Sequence, residues 1–130
     1  MKKYNIYVIT GLFSVAVIFG FLATSKKDEV KSTVVHVAIT YLDVRTDEEW
    51  ESGHVNGAIH FDLAKLQKGE LPQISKDAEI SVYCRSGKRA SEAVRILTEN
   101  NFTHVNNVGG FSGLETQGKK VCYGITPDCG

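Results

Sequence analysis

The sequence lacks several features that would assign a chemistry at once. Its 15 Lys and Arg balance 15 Asp and Glu, and two of those lysines, Lys2 and Lys3, lie at the start. From Lys26 onward, 13 basic residues therefore oppose 15 acidic ones, a net charge of −2, which gives no reason to expect nucleic-acid binding. The histidines show no metal-ligand spacing, so we expect no metal site. No internal repeat or low-complexity segment is visible, and 130 residues suffice for one domain with an ordinary core.

The N-terminal segment combines a positive start with an apolar block. Two lysines precede residues 6–23, which carry no charge, and charged residues follow from Lys26. This arrangement is typical of an export signal cleaved after Ser25, and the block is also just long enough for an uncleaved membrane anchor. A buried core helix is the third interpretation. With the lysines inside, the remainder lies in the bacterial periplasm or on the periplasmic face of the inner membrane, and membrane contact is confined to residues 6–23 if they are retained.

The chain is therefore divided into a signal peptide or anchor over 1–25, a linker over 26–35 and a folded domain over 36–130. Within the domain, predicted strands alternate with predicted helices. The strands cover 37–44, 57–61, 79–84 and 104–108. A short first helix begins at a Thr46–Glu49 capping box and ends at Gly53, and three further helices cover 62–67, 88–100 and 111–117. Gly109 and Gly110 are expected to form a tight turn. This alternation predicts an α/β fold, a small parallel sheet flanked by helices on both faces.

The segment from Cys84 to Arg89 has the clearest chemical pattern. A short apolar strand ends at Cys84, and an amphipathic helix begins a few residues later. Ligands of parallel sheets bind at the edge formed by the C-terminal ends of the strands. A thiol there faces a helix N-terminus, whose amides and dipole favour an anion, and the nearby cations favour the thiolate. Cys84 is thus predicted to be a nucleophile; the alternative is an inert core cysteine.

The chain has three cysteines, an odd number for an exported protein. Cys122 and Cys129 are close in sequence with a predicted turn between them, and an oxidising compartment permits a disulfide. Pairing these two leaves Cys84 as the unpaired thiol. They could instead be free or bind metal, although no His or further Cys lies beside them.

Three ordered motifs resemble the signatures of the rhodanese family. They are Asp43-Val44-Arg45 with Glu48-Glu49-Trp50, the stretch from Gly53 to Ile59, and Cys84-Arg85-Ser86-Gly87-Lys88-Arg89. The resemblance covers residues 40–118 and is strongest to small exported single-domain members. It implies a rhodanese-like fold and a sulfurtransferase, for which we expect no cofactor.

The resemblance also implies roles for individual residues. The Cys84 thiolate would take the outer sulfur of a small anionic donor such as thiosulfate, and the resulting persulfide would pass it to cyanide or a thiol. The candidate substrate-binding residues are Arg85, Ser86, Gly87, Lys88 and Arg89, whose amides would form a cradle around the persulfide. Gly87 would allow the bend, Ser86 would add a hydroxyl, and each cation would attract the donor, face solvent or pair with Glu92.

Two other functions remain open at this point. The domain could be a persulfide carrier or a module that binds a redox partner, and related folds also host cysteine phosphatases. A phosphatase cradle places five residues between Cys and Arg, whereas four lie between Cys84 and Arg89, so the shorter loop favours sulfur. The oligomeric state stays open.

Several polar and aromatic residues have structural interpretations. We predict a structural ion pair between Asp43 and Arg45, and we expect His54 to satisfy a backbone group. The three residues expected in the core are Trp50, Phe61 and Phe102.

Overall fold

The computed structural model of the chain describes residues 38–130. The signal peptide or anchor predicted over 1–25, the linker predicted over 26–35 and the start of the first predicted strand lie outside these residues. In the part that is described, every helix is too short or too polar to cross a bilayer.

The strands form one parallel sheet and one small antiparallel pair. The strands are β1 (Thr40–Asp43), β2 (His54–Val55), β3 (Ile59–His60), β4 (Glu79–Cys84), β5 (His104–Gly110) and β6 (Val121–Cys122). The parallel sheet has the order β3-β1-β4-β5, so β4 lies in its interior and ends at Cys84. The antiparallel pair joins β2 to β6, and it was not predicted because strands of two residues leave no periodic pattern.

Four helices connect these strands: α1 (Asp47–Glu51), α2 (Leu63–Gln67), α3 (Lys88–Glu99) and α4 (Phe111–Thr116). The predicted capping box is present, because the Glu49 amide donates to Thr46 Oγ1 at 3.4 Å and the Thr46 amide donates to Glu49 Oε2 at 3.2 Å. Helix α3 ends where Asn101 adopts a left-handed φ of +67°. Local sequence signals therefore predicted the helices and their ends well.

Each face of the parallel sheet carries its own apolar cluster. Side chains alternate between the faces of a strand, so in β4 Ile80 and Val82 face α2 and α3, whereas Tyr83 faces α1 and α4. Trp50 belongs to the second cluster and Phe102 to the first, and Phe61 packs against the first while partly exposed. Burial on both faces confirms the predicted α/β architecture.

The end of β5 differs from the prediction. Gly109 and Gly110 do not form a separate tight turn; they continue β5, and Gly110 pairs with Cys84 across a register shift. A Cβ on Gly110 would lie 2.6 Å from the carbonyl oxygen of Arg85. The strand can extend beside the loop after Cys84 because glycine presents no side chain there.

Candidate active site

The predicted nucleophile lies at the C-terminal end of an interior strand. Cys84 is the last residue of β4, and it is fully buried beneath the loop that leads into α3. It is the free cysteine of the described residues. Its burial is compatible with an inert core thiol as well as with the predicted nucleophile.

One backbone amide points at the sulfur. The Gly87 N–H donates to Cys84 Sγ at 3.1 Å, and Gly87 precedes the first residue of α3 with φ of +89°. A residue with a side chain would be strained at this φ, and its Cβ would lie 3.3 Å from Gly109 Cα. This confirms the conformational role predicted for Gly87.

One amide of the predicted persulfide cradle contacts the sulfur of Cys84. Within residues 38–130 the Gly87 amide is the one that bonds to this thiol, and the cradle predicted around a persulfide stays a prediction. The sulfur is a bare thiol here, and its single partner lies 3.1 Å away.

The three loop cations have different environments. Arg85 and Lys88 are exposed and form no ion pair with any described residue. Ser86, between them, is also exposed. Arg89 instead forms two hydrogen bonds with Glu49 of α1, at 2.7 and 2.8 Å. The suggested pairing with Glu92 is therefore wrong, because Glu92 is bound by Arg95 three residues along the same helix.

The Glu49–Arg89 pair joins α1 to the first turn of α3. The Arg89 guanidinium lowers the pKa of Glu49 to about 2. The pKa of Arg89 is raised, chiefly by the Glu49 carboxylate, with a smaller contribution from the Cys84 side chain. Arg89 is thereby held as a cation in the first turn of α3.

Asp43 and Arg45 form the predicted structural ion pair. Arg45 Nη2 donates to Asp43 Oδ2 at 2.6 Å, both side chains are buried, and the same nitrogen donates to the Gly53 carbonyl at 2.7 Å. The guanidinium also lies 4.4 Å from the centre of the Phe111 ring. The pair thus ties the end of β1 to the second motif and to α4.

His54 satisfies backbone groups, as predicted. Its Nδ1 lies 3.0 Å from the Trp50 carbonyl oxygen and its Nε2 lies 2.9 Å from that of Thr126. The imidazole also stacks on the Trp50 ring at 3.5 Å. A neutral imidazole has one N–H, so it donates to one of these two carbonyls, and either bond holds His54 between α1 and the C-terminal tail.

Cys122 and Cys129 are joined by a disulfide, as predicted, with their Cα atoms 5.4 Å apart. Cys122 is buried in β6 beside His54, whereas Cys129 is exposed. The described residues contain no cluster of metal-ligating side chains. The disulfide closes the tail onto β6, the strand that pairs with β2.

A groove of about 460 Å³ lies away from the cysteine loop. Its lining residues come from α1, the region of β3 and the tail: Asp47, Trp50, Glu51, Ala58, Ile59, His60, Ile125 and Pro127. None of them belongs to the segment from Cys84 to Arg89. The groove therefore does not coincide with Cys84, the candidate nucleophile.

Sequence reasoning missed two residues that shape the loop. Glu49 was assigned to the capping box and to the first motif, although it also binds Arg89. Asn107 was assigned only to a strand, although its side chain bonds to the Gly87 carbonyl at 2.9 Å. Asparagine is depleted in strands, and that anomaly was the available signal.

Known proteins similar to this chain identify its family. The profile of the rhodanese-like domain matches residues 25–117. The chain belongs to the rhodanese family. A solved structure described as a rhodanese with anions from E. coli is similar, with 30% sequence identity and a TM-score of 0.56, over 67% of this chain and 100% of that one.

Similar proteins of known or suggested activity are named for sulfur transfer or sulfur carriage. The chain is 34% identical over 86 residues to thiosulfate sulfurtransferase PspE of Escherichia coli (strain K12), covering 65% of this chain and 83% of that protein. It is also 34% identical over 71 residues to the putative sulfur carrier protein YrkF of Bacillus subtilis (strain 168), covering 55% of this chain but only 38% of that protein. The chain is accordingly a sulfurtransferase, an enzyme that takes sulfur from a donor and gives it to an acceptor.

Proposed function

We propose that this sulfurtransferase uses thiosulfate as its donor and carries the transferred sulfur as a persulfide on Cys84. The observation that supports this most is the hydrogen bond from the Gly87 amide to Cys84 Sγ, at the C-terminal end of β4. An amide directed at sulfur stabilises a thiolate more than a thiol, because the anion is the better acceptor. An inert core cysteine would need no such contact.

The proposed reaction has two balanced steps. The Cys84 thiolate attacks the outer sulfur of thiosulfate, so a bond forms between the two sulfurs while the bond within thiosulfate breaks and its electron pair leaves with sulfite. The acceptor, cyanide or a thiolate, then attacks the terminal sulfur, and the bond to Sγ breaks with its electron pair returning to Cys84. Covalent storage divides one difficult transfer into two easier displacements.

The charges around the loop suit an anionic donor. Arg85 and Lys88 are exposed beside the sulfur and are not neutralised by any described carboxylate, so their field favours the approach of thiosulfate. Arg89 is held near the sulfur by Glu49, so its role is to stabilise the anionic Sγ. Because Cys84 is fully buried, we expect small donors and acceptors to react in preference to bulky ones.

Mass measurement after incubation with thiosulfate tests this proposal. The 130-residue chain should gain one sulfur atom, located on Cys84 by peptide mapping, and should produce thiocyanate once cyanide is added. Cys84→Ser should abolish both. The matched control replaces Cys122 and Cys129 with Ser together and should keep both, because the disulfide lies outside the loop. Thiocyanate production by Cys84→Ser would refute the assignment.

A persulfide carrier is the second candidate. The likeness to a protein named a putative sulfur carrier supports it. The same experiment separates the two functions, because a carrier gains sulfur from a donor but releases it slowly to cyanide. A cysteine phosphatase is disfavoured by the four residues between Cys84 and Arg89, and aryl-phosphate turnover would overturn that preference.

We also propose that the domain is exported. The support is the lysine-led apolar block within residues 1–25 and the Cys122–Cys129 disulfide, since disulfides persist in oxidising compartments. Fractionation of cells expressing the chain, with the mass of its mature form, distinguishes a cleaved signal from a retained anchor. Recovery of the protein only in the cytoplasm, with both cysteines reduced, would contradict export.

A further inference from the structure

The side chain of Asn107 links β5 to the start of α3. Its Nδ2 donates to the Gly87 carbonyl at 2.9 Å and to Ser91 Oγ at 2.8 Å, and its Oδ1 accepts from the Gly109 amide at 2.8 Å. The orientation of the amide is determined, because a carbonyl must face the NH2 group and an N–H must face the oxygen. Asn107 thus uses both donors and its acceptor on residues beside the loop.

Gly87 is the residue that most needs an external contact. It caps α3 without any side-chain capping bond. Because glycine has no side chain, its backbone is not restricted to the observed left-handed φ of +89°. Its carbonyl accepts from the Ser91 amide at 3.0 Å and from Asn107, while its own N–H faces Cys84 Sγ. The carbonyl and the N–H belong to two peptide planes that meet at the Gly87 Cα, so the bonds to the carbonyl restrain the N–H by fixing the position of that Cα.

The other end of Asn107 holds the backbone against which the loop packs. The Gly109 amide bonds to Oδ1, and Gly109 Cα lies where a Cβ on Gly87 would contact it at 3.3 Å. Gly110, next along the chain, lies against the Arg85 carbonyl. One side chain consequently holds both sides of the contact between the loop and the end of β5.

We infer that Asn107 is a positioning residue for sulfur transfer, which holds the Gly87 amide toward Cys84 so that the thiolate and the persulfide are stabilised. This inference rests on the proposed function, because it assigns Asn107 to the same site. Asn107 does not touch the sulfur, and it acts through Gly87. Its contribution should therefore appear in the ionisation of Cys84 as well as in the rate.

The test compares Asn107→Ala with Asn106→Ala in the 130-residue chain. Asn106 is the adjacent exposed asparagine, and no side-chain hydrogen bond is formed by it in the described structure, so it is a matched control. Persulfide formation from thiosulfate is followed by mass at several pH values. Thiosulfate remains a dianion across this range, so the pH midpoint reports the enzyme. The melting temperature of each variant is recorded alongside.

We expect Asn107→Ala to form the persulfide about tenfold more slowly at pH 7 and to shift the pH midpoint upward by about one unit, the change that a weakened anion contact of that size produces. Asn106→Ala should match the native chain in both. A change in melting temperature without any shift of the midpoint would overturn the inference and leave Asn107 a merely structural residue.

Two further outcomes are decisive. If Asn107→Ala does not fold, Asn107→Leu, which keeps the size of the side chain but removes its hydrogen bonds, undergoes the same measurement, and an unshifted midpoint there counts against the inference. If the native chain gains no sulfur at all, the proposed function fails. If the native chain gains sulfur and the Asn107 variants match it, only the positioning role fails.

Discussion

Replacing Gly110 with alanine tests whether close backbone packing positions the cysteine loop. Gly110 has an ordinary φ of −98°, so the substitution introduces no backbone strain. The new Cβ would lie 2.6 Å from the Arg85 carbonyl oxygen, and real Cβ contacts are essentially never shorter than 3.0 Å, so the loop or β5 must move by at least about 0.4 Å. The atoms it meets, in Arg85 and Ser86, are all backbone and cannot rotate away.

The expected cost follows from that displacement. Overpacking of this kind costs about 1–3 kcal/mol of stability, which is a drop in melting temperature of roughly 4–8 °C for each kcal/mol in a domain of this size. Because a misplacement of about 1 Å can cost about a hundredfold in rate, a shift of this size should slow persulfide formation by roughly tenfold.

The matched control is Gly113→Ala in α4. A Cβ there has no atom within 4 Å, and Gly113 lacks a left-handed φ. Alanine should therefore stabilise the helix by about 0.5–1 kcal/mol and leave sulfur transfer unchanged. Thermal unfolding and the initial rate of sulfur gain from thiosulfate measure both effects. A Gly110→Ala chain with the native melting temperature and the native rate would refute the packing argument.

Two further predictions concern the Glu49–Arg89 pair and the disulfide. Glu49→Gln should lower stability by about 1 kcal/mol at pH 7; because the pKa of Glu49 is lowered to about 2, the native advantage is complete above its unfolded value of 4.5 and is lost as pH falls toward 2. Urea unfolding of the native chain and the variant at pH 7 and near pH 2 checks this. Equal urea midpoints for the two proteins at pH 7 would contradict it. Cys129→Ser removes a disulfide of sequence separation 7 and should lower the free energy of unfolding by about 2.5 kcal/mol. Reductant should leave the stability of this variant unchanged, and its Cys84 should still gain sulfur from thiosulfate.

The sequence alone predicted the parts of the fold that depend on local periodicity. The apolar stripe of α3 and the alternation in β4 indicate which face of each element is buried, whatever lies opposite. The Thr46–Glu49 capping box and the left-handed Gly87 are likewise local, since their hydrogen bonds and dihedral preferences involve residues a few positions apart. The position of Cys84 at a strand end followed from the same patterns.

The pairing of the second motif with the tail could not be predicted in this way. Strands β2 and β6 contain two residues each, and the hydrogen bond from His54 to Thr126 spans 72 positions of the chain. Such pairings depend on how loops close in three dimensions, and no period in the sequence records them.

Tertiary structure decided how the cysteine loop is held. Glu49 pairs with Arg89 across 40 positions, in preference to the nearby Glu92, and Asn107 reaches Gly87 across 20. The backbone of Gly110 likewise packs closely against the backbone of Arg85 and Ser86 in the loop. Residue type and spacing determine which local conformations are favourable, whereas only the packed sheet determines which distant polar groups come within hydrogen-bond distance. The choice of the segment from Cys84 to Arg89 as the candidate site therefore came from the sequence, whereas the contacts of Glu49, Asn107 and Gly110 with it came from the fold.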